Sequence, residues 1–313
     1  VSTCQCWTYR PEILNNRVMD TRRLQFLLEL SRLGSMRAVA DVLETTTSTV
    51  SQQISVLAKE TGAALLEPDG RRVRLTPAGR RLAEHAVTIL AAVEAARVDL
   101  DPEAEPAGTV RVAGFGTGVR HAVLPVADLL AQRHPRVRVV ISEHEPAEAL
   151  AQLRTDDIDL ALTYDYNLAP ATADPSLAVR PLWTAPWGLA VPRADAHPLR
   201  GKGTLDVFTA FRDRDWIGNS RNGADETVVG TLASMAGFSP RFTHRADNLD
   251  LVQDLIAAGG GVGLLPESWP TRPDVAVLPL TGPDVRLRAF ACTRGGRDAW
   301  PPLALVLGLL PGD

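Results

Sequence analysis

The chain has 313 residues, of which 45% are apolar and 22% charged, with a formal net charge of −4. That balance excludes a disordered polymer and gives room for two or three globular domains. No apolar run approaches the roughly 20 residues a membrane-spanning helix needs, so no membrane contact is expected. Residues 1–18 lack the apolar stretch of a signal peptide, and export is not expected either. The charge is uneven. Ten basic against seven acidic residues between Met19 and Arg81 leave +3, while residues 82–313 carry −8. A basic head on an acidic body fits polyanion binding by the head. Cys4, Cys6 and Cys292 form no paired framework, which points to a reducing cytoplasm. Cys4 and Cys6 have no ligand cluster around them, so no metal or other cofactor is assigned.

Met19 to Leu33 is an expected first helix, with Leu24, Leu27, Leu28 and Leu30 as its apolar residues. Ser35 is placed to cap a second helix, Met36 to Leu43, and Thr46 or Thr47 a third that stops at Gly62. Val50, Ile54 and Leu57 give the third helix one apolar stripe, and Thr47, Ser48, Thr49, Ser51 and Gln52 open it. Short uncharged donors and acceptors suit the base edges of a DNA major groove. The plain alternative is a helical hairpin whose hydroxyls only cap its ends. Leu65 to Glu67 and Val73 to Leu75 read as a two-strand wing turning at Asp69-Gly70, with Arg71, Arg72 and Arg74 as a phosphate clamp.

Thr76-Pro77 opens a long helix. Along it Leu82, Ala86, Ile89, Val93, Ala96 and Leu100 alternate at spacings of four and three, a heptad seam that fits a second copy of the same helix. Packing on the chain's own body is the alternative. Asp101 to Gly108 then reads as a hinge.

From Thr109 strands and helices alternate, the pattern of parallel sheet covered by helices. Strands are expected at Val110 to Ala113, Val137 to Ser142 and Asp159 to Thr163, with helices at Arg120 to Gln132 and Ala147 to Arg154. Leu177 to Leu182 and Gly188 to Pro192 read as two strands bounding a crossover. A strand at Asp215 to Gly218 precedes helices at Glu226 to Ala236 and Leu249 to Ala258. Strands at Val262 to Leu265, Val275 to Leu280 and Arg286 to Thr293 close the pattern, and Leu303 to Leu310 is a short buried terminal segment. Gly114 to Gly118 follows the first of these strands and precedes a helix, so the N–H groups at Gly116, Thr117 and Gly118 suit a small anion. It is not a dinucleotide fingerprint, because Val119 stands where the third glycine belongs.

No catalytic residue is assigned, and the chain is not expected to be an enzyme. The six histidines are scattered without metal spacing, no G-x-S-x-G elbow occurs, and His144 between Glu143 and Glu145 is the best acid–base candidate.

These residues resemble the LysR-type transcriptional regulators. The resemblance is carried by Met19-Asp20, Leu24, Gly34-Ser35, Ala38, Ala40 and Leu43, then Ser48, Val50, Ser51, Gln53, Ile54, Leu57 and Gly62, and Leu65, Glu67 and Arg71 to Gly79. Gly259 to Pro266 is similar to a late glycine-rich turn of that family. Thr47, Gln52 and Pro68 depart from its pattern, where glutamine, a basic residue and arginine are common.

The fold implied is α/β: an N-terminal winged helix-turn-helix (19–76), a linker and dimerisation helix with hinge (77–108), and a two-lobed effector domain like periplasmic binding proteins (109–313). Lobe I would hold about 109–165 and 271–313, and lobe II about 166–270, after an extension over 1–18 expected to be disordered. The implied partners are double-stranded DNA, a small effector, further copies in a homodimer or homotetramer, and RNA polymerase. Ser35 and Arg37 join the DNA-facing residues. The cleft adds Glu145, Pro146, Tyr164, Asp165, Asn219, Ser220, Arg221 and Asn248, with Arg221 suited to an effector carboxylate. The alternative is a solute-binding or enzymatic α/β domain whose helix-turn-helix is only structural.

Overall fold

The computed structural model describes residues 19–70, 72–101 and 104–312, with only the backbone at Arg72. The 1–18 extension, Cys4, Cys6 and Arg71 lie outside the described residues. The chain divides into two compact units after Leu100.

The first unit opens with α1 (Thr21–Leu33), capped by the Asp20 carboxylate and closed by Gly34 in the left-handed region. After it come α2 (Met36–Val42) and α3 (Thr47–Thr61), the latter closed by Gly62 at φ 67°. Leu24, Leu27, Val39, Val50, Ile54 and Leu57 meet in one buried cluster, which the 3.6-residue spacing of each helix makes unavoidable. The wing is β1 (Leu66–Asp69) antiparallel to β2 (Arg72–Leu75), with Glu67 opposite Arg74. Thr76 joins the wing to α4 (Pro77–Leu100): its hydroxyl donates to Ala64 O at 2.6 Å and accepts from Gly79 N at 3.0 Å.

The heptad seam of α4 is divided. Ala86 is fully buried in the head's own cluster, and Leu82 and Ile89 pack on it. Val93, Ala96 and Leu100 are exposed, Leu100 to 85%. The six residues therefore do not form one free seam, because the first half of α4 supplies the fourth wall of the head.

In the second unit, β3 (Gly108–Gly114) leads through Phe115 into a helix running as α5 (Gly116–Gly118), a π turn (Val119–Val123) and α6 (Leu124–Arg133). There follow β4 (Val137–Glu143), α7 (Pro146–Arg154), β5 (Leu160–Tyr166), β6 (Leu177–Pro192), α8 (Arg193–Ala196) and α9 (Thr204–Ala210). The rest is β7 (Asp215–Gly218), α10 (Ala224–Met235), β8 (Arg241–Arg245), α11 (Leu249–Ala257), β9 (Gly263–Pro266), β10 (Val275–Pro279), β11 (Val285–Arg294) and α12 (Pro301–Leu309).

The main sheet has strand order β10-β6-β11-β5-β3-β4, with β9 also on β6. It is mixed rather than parallel. β3 runs parallel to β4 and β5, but β11 is antiparallel to both β5 and β6. The expected crossover between Leu182 and Gly188 does not exist: β6 is a single strand of 16 residues. Pro181 and Pro186 both pair in register with β11, and the register shifts between Ala289 and Phe290. The β8 strand, parallel to β7, and the α9 helix are not among the elements expected from the sequence.

Candidate functional site

The DNA-facing surface is built by capping. The Thr46 hydroxyl accepts from Thr49 N at 3.2 Å and lies 2.8 Å from Ser48 Oγ and 2.9 Å from Thr49 Oγ1. Thr49 is therefore a half-buried part of the cap, whereas Thr47, Ser48, Ser51 and Gln52 are exposed. Ser35 and Arg37, at the start of α2, are exposed too. Arg23 pairs with Glu60 and donates to Gln53 Oε1 at 3.2 Å, fixing α1 against α3. In the wing, Arg74 Nε is 2.9 Å from Glu67 Oε1, so part of its charge is already met.

The second unit holds a cavity of about 320 Å³. Gly116, Thr117, Glu145, Tyr164, Asn219 and Asn248 line it, as the sequence expects. Gly118, Pro146, Asp165, Ser220 and Arg221 are not lining residues, and each has a local reason. A Cβ on Gly118 would fall 2.6 Å from the Phe115 ring, so this glycine makes room for an aromatic side chain. Pro146 starts α7, and Glu145 and Glu148 form its capping box. Asp165 is bound by Arg288 at 2.8 Å and by Ala171 N. Ser220 donates to Asp247.

Arg221 is held by carboxylates of the chain itself. Its Nε lies 3.1 Å from Asp247, and its other nitrogens lie 3.6 Å from Glu143, 3.8 Å from Glu145 and 3.6 Å from Glu148. Pairing with an effector carboxylate would first break this set.

Glu145, 4% exposed, accepts from the Tyr164 hydroxyl at 3.1 Å and from Asn222 Nδ2 at 2.6 Å. Burial, then repulsion from Asp247, raises its pKa. Asp225, 8% exposed, takes a hydrogen bond from Tyr166, and its backbone N–H donates to Asn219 Oδ1 at 2.9 Å. Its pKa is pushed up to about 7 by burial, with Glu145, Asp247 and Glu226 adding repulsion. Asp247 is held below the usual carboxylate range: burial opposes ionisation, but hydrogen bonds from Ser220 and Arg221 outweigh it.

Residues 103–311 match the family model described as LysR substrate binding domain, and residues 21–80 match bacterial regulatory helix-turn-helix protein, lysR family. The chain belongs to the LysR family of transcriptional regulators.

The transcriptional dual regulator GltC of Bacillus subtilis (strain 168) is 30% identical over 274 residues, covering 86% of this chain and 88% of that one. The DNA-binding transcriptional dual regulator OxyR of Escherichia coli (strain K12) is 26% identical over 249 residues, 79% of each. In fold, the chain is similar to a full-length OxyR variant from Pseudomonas aeruginosa, with TM-score 0.67, 18% identity and coverage of 93% and 94%. Full-length CbnR complexed with its target DNA gives TM-score 0.51 and 22% identity, covering 93% of this chain and 99% of that one.

Within this LysR chain, the aromatic wall and most of the acidic lining are not legible from sequence motifs. Trp187 lines the cavity with Phe115 and Trp269, and Glu143, Asp225, Asp247 and Asp250 add carboxylates to Glu145. Among the lining residues only Arg120 is basic. The anion expected at Gly116 to Gly118 is thus opposed by its surroundings: a Cβ on Gly116 would sit 3.2 Å from Glu143 Oε1. Trp183, the other tryptophan of that segment, lines an adjoining apolar cavity of about 390 Å³. His144 is outside the lining, held by Gln152 at 2.9 Å and by Glu148 at 3.5 Å.

Proposed function

We propose that this LysR regulator binds double-stranded DNA through the exposed start of α3, with Ser35, Arg37 and the wing arginines Arg71, Arg72 and Arg74 on phosphates. The observation that carries the reading is the exposure of Thr47, Ser48, Ser51 and Gln52 on a helix whose other face is sealed by Val50, Ile54 and Leu57. Uncharged hydrogen-bonding groups on a rigid helix can read base edges, while the cations beside them fix the register.

The cavity of the second unit is then the effector site, and binding without turnover is its function. Glu145, Tyr164, Asn219 and Asn248 are the effector contacts we assign, with Gly116 and Thr117. Gly118, Pro146, Asp165, Ser220 and Arg221 act behind them by shaping or bracing the wall. Lobe I (about 109–165 and 271–313) and lobe II (about 166–270) would move relative to each other around it. Val93, Ala96 and Leu100 are the part of α4 open to a second copy, giving a homodimer or homotetramer, and RNA polymerase is the partner at the promoter. Such a role belongs in the cytoplasm, with the chromosome.

A thiol-based response finds no support among the described residues. Cys292 is buried at the β5–β11 pairing, and burial raises its thiol pKa, the opposite of a reactive cysteine.

The test is fluorescence anisotropy with duplexes from the DNA flanking the protein's own gene, across a range of salt. The expected result is a complex that tightens at low salt and outcompetes random duplex. No binding to any duplex at low ionic strength would overturn it.

A further inference from the structure

The charge of the cavity constrains what enters it. Arg221 is one guanidinium facing Glu143, Glu145, Glu148 and Asp247, and Arg120 is the one basic residue of the lining, so the lining carboxylates of Glu143, Glu145, Asp225, Asp247 and Asp250 outnumber both cations. Asp225 adds an independent observation. It is more than nine-tenths buried, lines the cavity, and its Oδ1 takes the Tyr166 hydroxyl at 2.8 Å. No donor among the described residues reaches its other oxygen. Four rings, from Phe115, Tyr164, Trp187 and Trp269, supply the apolar wall.

Carboxylates beside aromatic rings attract cations twice over, through Coulomb attraction and through the negative ring faces. An anion there would meet like charge, and a neutral molecule would leave the excess uncompensated. A volume of about 320 Å³ restricts the occupant to a small molecule.

We propose that the effector is cationic, a small molecule whose protonated amine or guanidinium lies among Glu145, Asp225 and Asp247 against the aromatic wall. This rests on the reading of the cavity as the effector site. Asp225 supplies the open acceptor, Glu145 and Asp247 supply negative charge, and an incoming ammonium adds a cation to the charge that Arg221 braces at those two acids.

The experiment titrates the full-length chain calorimetrically at about pH 8, above the pKa of about 7 of Asp225 and below the ordinary range of alkylammonium groups, with two matched sets: benzylammonium, benzyl alcohol and benzoate, and butylammonium, butanol and butyrate. In at least one set the ammonium is expected to bind at least about tenfold tighter than its alcohol and its carboxylate. That preference should collapse in Asp225→Asn and in Glu145→Gln. Two variants are used because either alone could perturb folding, and a cooperative thermal transition identifies the informative one. Equal affinity within both sets, preference for a carboxylate, no ammonium binding even at tens of millimolar, or preference surviving both substitutions would overturn the proposal. Duplex binding is measured on the same sample. Its retention without an ammonium preference removes this inference alone, and its loss removes the reading beneath it.

Discussion

The Tyr166 hydroxyl donates a 2.8 Å hydrogen bond to Asp225 Oδ1, tying the last residue of β5 to the first turn of α10. Both side chains are buried, and Tyr166 is raised well above the usual phenol pKa by burial and by the neighbouring Asp225. The phenol therefore stays a donor, and the carboxyl is the partner that titrates.

Asp225 makes stability depend on pH in a definite direction. Its folded pKa of about 7 exceeds the ordinary 3.8, so the folded protein retains a proton that the unfolded chain gives up. Stability falls as pH rises from about 4, and the cost is complete above about 7, on the order of 4 kcal/mol. Glu145, Asp247 and Glu226 are the acids acting on it, with Tyr166 as its donor. Urea unfolding should show Asp225→Asn gaining on the parent between pH 5 and pH 8; a constant difference would contradict the assignment.

Thr47→Ala and Ser48→Ala should each weaken operator binding by about 1–3 kcal/mol while hardly affecting random duplex. Both side chains are exposed on α3, so no loss of fold accompanies the change. Anisotropy on the two duplex types separates base reading from general attraction. Equal losses would count against it.

Arg37→Ala should weaken all duplexes alike and lower the slope of log affinity against log salt by about 1. Arg74 should contribute less, because Glu67 already lies 2.9 Å from its Nε. A sequence-selective loss at Arg37 would speak for a base contact instead.

Val93→Asp and Leu100→Asp should lower the oligomer mass in sedimentation at an unchanged melting temperature. Ile89→Asp should instead melt the head, since Ile89 packs on its core. Dissociation by Ile89→Asp with the head intact would reverse this division of α4.

Gly79→Ala should destabilise the head by about 1–3 kcal/mol. The added Cβ would fall 2.3 Å from the Leu65 carbonyl oxygen, a backbone atom that cannot turn aside. Thermal melting checks it, and an unchanged midpoint would mean the wing shifts freely.

The head was legible because its signals are local. Ser35, Thr46, Gly34 and Gly62 mark helix ends within a few residues of the stripes they bound, and each sits where the caps require. Strand direction was less legible. β11 separates β5 from β6 by pairing with segments distant in the chain, Val285 with Trp187 and Cys292 with Ala161, and nothing in residues 285–294 announces the reversal. The continuity of β6 through residues 183–187 was not legible either, because its two halves read as separate strands. The cavity was half legible. Gly116, Thr117 and Glu145 follow visible strand ends, but Asp225, Asp247 and Asp250 become one acidic wall only after β7, β8 and their helices fold back.

Arg221 acts as a crosspiece. It follows β7, holds Asp247 beyond β8, and reaches toward three glutamates around the start of α7. A visitor that takes a share of Glu145 and Asp247 draws on the same acids, so its arrival and the slackening of that crosspiece are reciprocal events. The acids of the cavity wall and the brace that ties them together thus meet at Arg221.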